Sequence, residues 1–172
     1  MRNLVLAGFM ATGKTSVGRA VALRLGRPFV DMDEEIEART GKTISRIFAE
    51  DGEAAFRTLE TALCRELSAR QGVVVATGGG ALVDPANRAC FAASSTLVCL
   101  QASIEALSSR VRGGEDRPLL SAGDAGADIA RLLAARRAAY ASVPWQIDTT
   151  ARALEDIVDA VVALADVHTL PV

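Results

Sequence analysis

The sequence predicts an α/β protein of three layers: a doubly wound, five-stranded parallel sheet between two layers of helices. Three observations carry that prediction. Apolar runs of strand length alternate with longer amphipathic stretches over the 172 residues. The first four runs are almost continuously apolar, as parallel strands covered on both faces must be. A glycine-rich turn, GFMATGKTS, joins the first run to the first amphipathic stretch.

In chain order, NLVLAG (3–8) reads as the first strand, and the pattern over 14–25 as its helix. PFVDM (28–32) is the second strand, followed by helical patterns over 34–50 and 52–70. VVVAT (73–77) is the third strand. Asp84-Pro85 then supplies an N-cap and a first-turn proline for a helix over 85–92. TLVCLQ (96–101) and WQID (145–148) complete the sheet, with helices over 103–111, 125–141 and 153–166. RGGEDRPLLSAGDAGAD (112–128) has no usable period and reads as a mobile loop. The tail VHTLPV is expected to fray. No linker separates two cores, so one domain over 1–172 is expected.

A net charge of −2 gives no bulk reason to expect nucleic acid as a partner, so any anion site must be local. Cys64, Cys90 and Cys99 form no CxxC pair, and His168 stands alone near the end, which argues against a disulfide framework or a zinc site. No apolar run is long enough to span a membrane. The N-terminus reads as a strand, not a signal peptide. A cytoplasmic monomer is the expectation.

Gly8 to Thr15 satisfies G-x-x-x-x-G-K-[ST]. Glycines let backbone N–H groups approach phosphate oxygens with no Cβ in the way. Lys14 would reach the β- and γ-phosphates, the Thr15 hydroxyl would ligate Mg²⁺, and the helix would point its positive end at the same anion. The motif implies nucleotide binding without naming the enzyme. No N-K-x-D motif accompanies it, so a GTPase switch is not expected. A small kinase using ATP remains.

Acceptor residues are sought at the carboxyl ends of the other strands. Period-two alternation would place Asp31 and Asp33 on one side, one in the Mg²⁺ shell and one orienting an acceptor hydroxyl. The plainer alternative is that they cap a helix starting at Glu34. Arg57, in EAAFRTLE, suits either an i,i+4 pair with Glu53 or a fork on a substrate carboxylate. Thr77-Gly78-Gly79-Gly80 exceeds what one turn needs and suggests backbone closing on a ligand.

These segments in order, GFMATGKTSVGR, FVDMDEEIEARTGKTISRIFAEDGEAAFRTLE, ATGGG, RPLL and RRAAY, resemble shikimate kinase over nearly the whole chain. The resemblance implies the P-loop kinase fold, with a substrate-binding segment near 33–60 and a lid near 112–124. It implies transfer of the γ-phosphoryl of ATP to the 3-hydroxyl of shikimate, on the route to chorismate and the aromatic amino acids. By the same resemblance, Gly8, Ala11, Thr12, Gly13, Lys14, Thr15 and Ser16 hold the phosphates, with Thr15 and Asp31 on the Mg²⁺ side. Asp33 matches the carboxylate on the shikimate hydroxyls. Arg57 and Arg136 match the arginines on its carboxylate, and Gly79 and Gly80 add backbone contacts. Phe48 and Phe56 would pack near the substrate ring. Arg117 matches the lid arginine at the phosphates, making Lys14, Asp33 and Arg117 the catalytic set. At the adenine end Arg110 and Arg112 compete for one role, and Arg152 is a further candidate. Ala11 stands where glycine is frequent, which a negative φ would accommodate.

Two rivals stay open on the residues alone. One is another small P-loop kinase, for gluconate or a nucleoside monophosphate. The other is a catalytically silent nucleotide-binding regulatory module.

Overall fold

Alternate residues of the central strands belong to opposite hydrophobic cores, and that sorting builds the molecule. The computed structural model describes residues 1–111 and 125–165. Strands β1 (Asn3–Gly8), β2 (Phe29–Asp31), β3 (Val74–Ala76), β4 (Ser95–Gln101) and β5 (Trp145–Asp148) pair in parallel in the order β2-β3-β1-β4-β5. They alternate with helices α1 (Lys14–Leu25), α2 (Met32–Thr40), α3 (Ile44–Glu50), α4 (Glu53–Ala69), α5 (Pro85–Ser94), α6 (Ile104–Val111), α7 (Ala125–Ala141) and α8 (Leu154–Leu164). Leu4 and Leu6 of β1 face Val17 and Val21 of α1 and Ile157 and Val161 of α8. Val5 and Ala7 face the other way, into a core with Ile36, Ile47, Phe56, Leu63, Phe91, Leu107 and Ile129. Both faces of the sheet are therefore buried, which explains why the strands read as continuous apolar runs.

The expected architecture holds, with three local corrections. The single helix expected over 34–50 is two helices. Gly41 ends α2 in the left-handed region at φ 67°, and the Thr43 hydroxyl oxygen accepts from the Arg46 N–H to start α3. Strand β2 is shorter than 28–32, ending at Asp31. Helix α2 begins at Met32 instead of Glu34, because the Asp31 carboxylate accepts the N–H groups of Asp33 and Glu34.

Parallel order brings the segments after β1, β2 and β3 out at one end of the sheet, where ligands of such sheets bind. The buried Asn3 side chain fixes the far end of this frame. Its amide donates to the carbonyls of Leu67 and Arg70 and accepts from the Val73 N–H, tying the end of α4 to the start of β3.

Candidate active site

The phosphate loop leaves β1 through Gly8, at φ 134°, where a Cβ would stand 2.2 Å from the Leu100 carbonyl oxygen of β4. No other residue fits that approach. The loop is folded on itself: the Thr12 hydroxyl and the Lys14 ammonium both donate to the Phe9 carbonyl, at 2.8 and 2.9 Å. Ala11 has φ 61°, so the accommodation by a negative φ is overturned. The tight turn between Met10 and Thr12 demands the left-handed conformation whichever residue occupies it, and alanine bears the strain. Helix α1 follows with no side-chain cap at Gly13 and no acidic residue in its first turn. Its leading N–H groups, including those of Lys14, Thr15 and Ser16, thus face the loop as an anion site.

Asp31 takes the capping alternative with one oxygen and turns the other toward the phosphate loop. One carboxylate oxygen caps α2, and the other accepts a 2.6 Å hydrogen bond from the Thr15 hydroxyl. Asp33 does share the cavity with Asp31, but not through strand alternation, since it already lies in the first turn of α2. Burial, then the neighbouring Asp31 charge, raise the Asp33 carboxyl above its ordinary range, with Lys14 opposing. A carboxylate so placed holds a proton more readily.

The opposite wall is made by α4, the β3 exit and α7. The Arg57 guanidinium spans two carboxylates: Nε and Nη2 donate to Glu53 at 3.2 and 3.0 Å, and Nη1 to Glu60 at 2.8 Å. The Glu53 bond is exposed and the Glu60 carboxylate is buried, so only the first is easily exchanged. The other Glu60 oxygen has no partner among the described residues, and burial raises the pKa of this carboxyl while Arg57 opposes. Gly78 separates Glu60 from Asp33: a Cβ there would lie 2.7 Å from a Glu60 oxygen and 2.9 Å from an Asp33 oxygen. Gly80 gives room to Arg57, whose two terminal nitrogens stand 2.6 and 2.9 Å from the position its Cβ would take. Arg136, almost fully buried, lies over the Phe9 ring at 5.7 Å and donates to the Gly79 carbonyl at 3.1 Å. Phe48 and Phe56 pack with ring centroids 5.0 Å apart and line the same space.

Lys14, Thr15, Asp31, Asp33, Arg57, Gly79, Gly80, Arg136, Phe48 and Phe56 thus meet around one cavity of about 480 Å³. Nucleotide-end candidates sit beside it. Arg110 donates to the carbonyls of Thr149 and Ala11, at 2.7 and 3.3 Å, linking the β5 exit to the phosphate loop. Its edges are engaged, which leaves the guanidinium face to stack. Arg152 is exposed and donates to the Asp156 carbonyl. Arg112 and Arg117, with the expected lid 112–124, lie outside the described residues.

The sequence assigns no site role to Glu60 or Tyr140, and reads Gly78 only within the triple glycine. Glu60 is legible as the i+3 partner of Arg57. Tyr140, whose hydroxyl donates to the Gly79 carbonyl at 2.5 Å, makes a contact across 61 residues that no local pattern signals.

The shikimate kinase family model matches residues 10–165. A shikimate kinase of Geobacter sulfurreducens is 43% identical over 167 residues, covering 97% of this chain and 92% of that protein. One of Desulforudis audaxviator is 48% identical over 149 residues, covering 87% and 78%. Among solved structures, the shikimate kinase of Acinetobacter baumannii in complex with shikimate superposes with a TM-score of 0.91 at 38% identity, covering 95% of this chain and 92% of that one. A gluconokinase of Sinorhizobium meliloti, at 22% identity and a TM-score of 0.60, shares the fold.

Proposed function

This chain belongs to the shikimate kinase family, and on that premise we propose how its own residues divide the ATP-dependent phosphorylation of the shikimate 3-hydroxyl. The observation that carries the assignment is the single cavity with an uncapped helix N-terminus at one wall and two arginines at the other. Asp33 lines the same cavity.

The leading N–H groups of α1, the loop amides and Lys14 hold the phosphates of ATP. Arg57 and Arg136 take the shikimate carboxylate, Arg57 giving up its exposed bond to Glu53 and keeping Glu60. Phe48 and Phe56 cover the apolar side of the ring. Asp33 accepts the hydrogen of the acceptor hydroxyl, and its burial favours taking up that proton. The hydroxyl oxygen forms the new bond to the γ-phosphorus, the bond from that phosphorus to the β–γ bridging oxygen breaks, and ADP leaves. Positioning and charge stabilisation suffice for such a transfer, so no nucleophilic side chain is required. Arg117 is proposed to offset charge on the transferring phosphoryl, and 112–124 to close over it.

The paired oxygens of Thr15 and Asp31, 2.6 Å apart beside the loop, suit a hard cation. Thr15 would hold Mg²⁺ directly and Asp31 through water. When bound, Mg²⁺ supplies charge neutralisation on the phosphates. A cytoplasmic monomer completes the proposal. No described helix is long and apolar enough to cross a membrane.

ADP release measured with shikimate, gluconate and nucleoside monophosphates in turn tests the reading. Turnover is expected with shikimate alone. Release with another acceptor instead would overturn the substrate assignment, and ATP binding without any release would point to a regulatory module.

A further inference from the structure

We infer that Tyr140 is a positioning residue for the acceptor side, holding the Gly79–Gly80 peptide and Arg136 in one arrangement through the Gly79 carbonyl. The inference rests on the functional reading above and extends it to a residue that touches no reacting group.

One carbonyl oxygen receives both donors. The Tyr140 hydroxyl donates to the Gly79 carbonyl at 2.5 Å and Arg136 Nη1 donates to the same oxygen at 3.1 Å. A carbonyl has two lone pairs, so the two bonds are compatible and saturate it. Tyr140 lies four residues after Arg136 on α7, on the same helix face, so both side chains reach one point from consecutive turns. Its backbone is fixed as well: the Tyr140 carbonyl accepts from the Val143 N–H and from the Gln146 side chain, tying the end of α7 to β5.

The consequence for the ligand follows from peptide geometry. No peptide is cis among the described residues, so the Gly80 N–H points opposite to the Gly79 carbonyl. Turning that carbonyl toward α7 turns the N–H away from α7. No backbone carbonyl among the described residues takes this N–H. Gly79 lacks a side chain that could hold the turn, and it is half-exposed. Remove the hydroxyl, and the peptide is held from α7 by Arg136 alone. That arginine would then have to orient backbone and bind a carboxylate with one guanidinium. Burial raises the Tyr140 phenol to about 12, so it remains a hydrogen-bond donor throughout the usual assay range.

Tyr140→Phe is the test, since it deletes one oxygen and keeps the buried ring. The KM for shikimate should rise at least fivefold, with the KM for ATP within twofold of the parent. The Gly80 amide resonance, followed by NMR, should shift or broaden as the peptide is released, while amides of β1 and β4 keep their positions and their exchange protection. Equal changes in both KM values, or shifts and faster exchange across the sheet as well, would reduce Tyr140 to a packing residue and overturn the inference. So would an unchanged shikimate KM with an unchanged Gly80 amide. A parent protein that turns over no shikimate would overturn the functional reading instead, and the Gly80 amide would still decide the role of Tyr140.

Discussion

Gly78→Ala offers the sharpest test of the acceptor geometry. The new methyl would sit 2.7 Å from a Glu60 oxygen and 2.9 Å from an Asp33 oxygen, where carbon–oxygen contact normally needs about 3.4 Å or more. Neither carboxylate retreats freely. Glu60 is buried and bonded to Arg57 at 2.8 Å, and Asp33 is short and rooted in the first turn of α2. One or both must move by roughly half an ångström, on the scale at which misplacement by about 1 Å costs about 100-fold in rate. We expect kcat/KM for shikimate to fall about 10- to 100-fold, or about 1.4–2.7 kcal/mol of transition-state stabilisation. The KM for ATP should stay within twofold. Gly79→Ala is the matched control. Its methyl would meet Met10 N at 3.4 Å and Arg136 Nη1 at 3.5 Å, ordinary contacts, and should cost less than about threefold. Steady-state ADP release at 25 °C, with melting curves for both variants, makes the comparison. A Gly78→Ala enzyme within twofold of the parent, or a Gly79→Ala enzyme equally impaired, would refute the crowding argument.

Other perturbations probe the remaining walls. Arg136→Ala should raise the KM for shikimate at least tenfold, the scale of one lost charged hydrogen bond, and leave ATP binding nearly intact; an unchanged KM would remove Arg136 from the site. Ala11→Gly should relieve about 1–2 kcal/mol of left-handed strain at φ 61° and lose about 0.4–1 kcal/mol to chain entropy, so Tm should rise by about 1–3 °C. A lower Tm would show that the loop is not strained there. Asp33→Asn should lower kcat at least about 100-fold and yet stabilise the protein at pH 7. Because the folded-state pKa of Asp33 is raised, its contribution to stability is complete below about pH 4 and is lost as pH rises through the folded value. The asparagine, always neutral, avoids that loss, so the gain in urea midpoint should vanish near pH 4. A gain independent of pH would contradict the raised pKa.

How far the sequence reveals all this depends on the range of the interaction responsible. Strand and helix order was legible because each buried run had to be apolar over its own length. The phosphate loop was legible because backbone approach admits few residues. The break at Gly41 was not, since glycine inside a helical pattern is a cap or merely a weak helix former until the Thr43 cap is seen to restart the helix. Asp33 lines the cavity beside Asp31 but not by strand alternation, because capping by Asp31 ends the strand one residue early and starts α2 two residues early. The φ of Ala11 is set by loop closure, to which composition is blind. Tyr140 and Gly79 meet only after α7 docks beside the β3 exit, and no periodicity encodes that encounter.

On the proposed reading, the two ends of the cavity would bind anions by opposite strategies. At the phosphate end, α1 has no side-chain cap at Gly13 and no first-turn acid, an arrangement suited to an arriving anion. At the acceptor end, the cations are held in advance. Arg57 is braced by Glu53 and Glu60, and Arg136 by the Gly79 carbonyl and the Phe9 ring. Two long side chains are therefore ordered during folding, and a small carboxylate need not bear that entropy on binding. Exchange of the exposed Glu53 bond costs only a few tenths of a kcal/mol, whereas loss of the Glu60 bond would strand a buried charge. Asp31 stands beside the phosphate loop through Thr15 and Asp33 lines the same cavity, and both would repel a second anionic group brought near them. On the proposed reading, that pattern of charge would favour an acceptor with its carboxylate against the arginines and a neutral hydroxyl toward the phosphate loop.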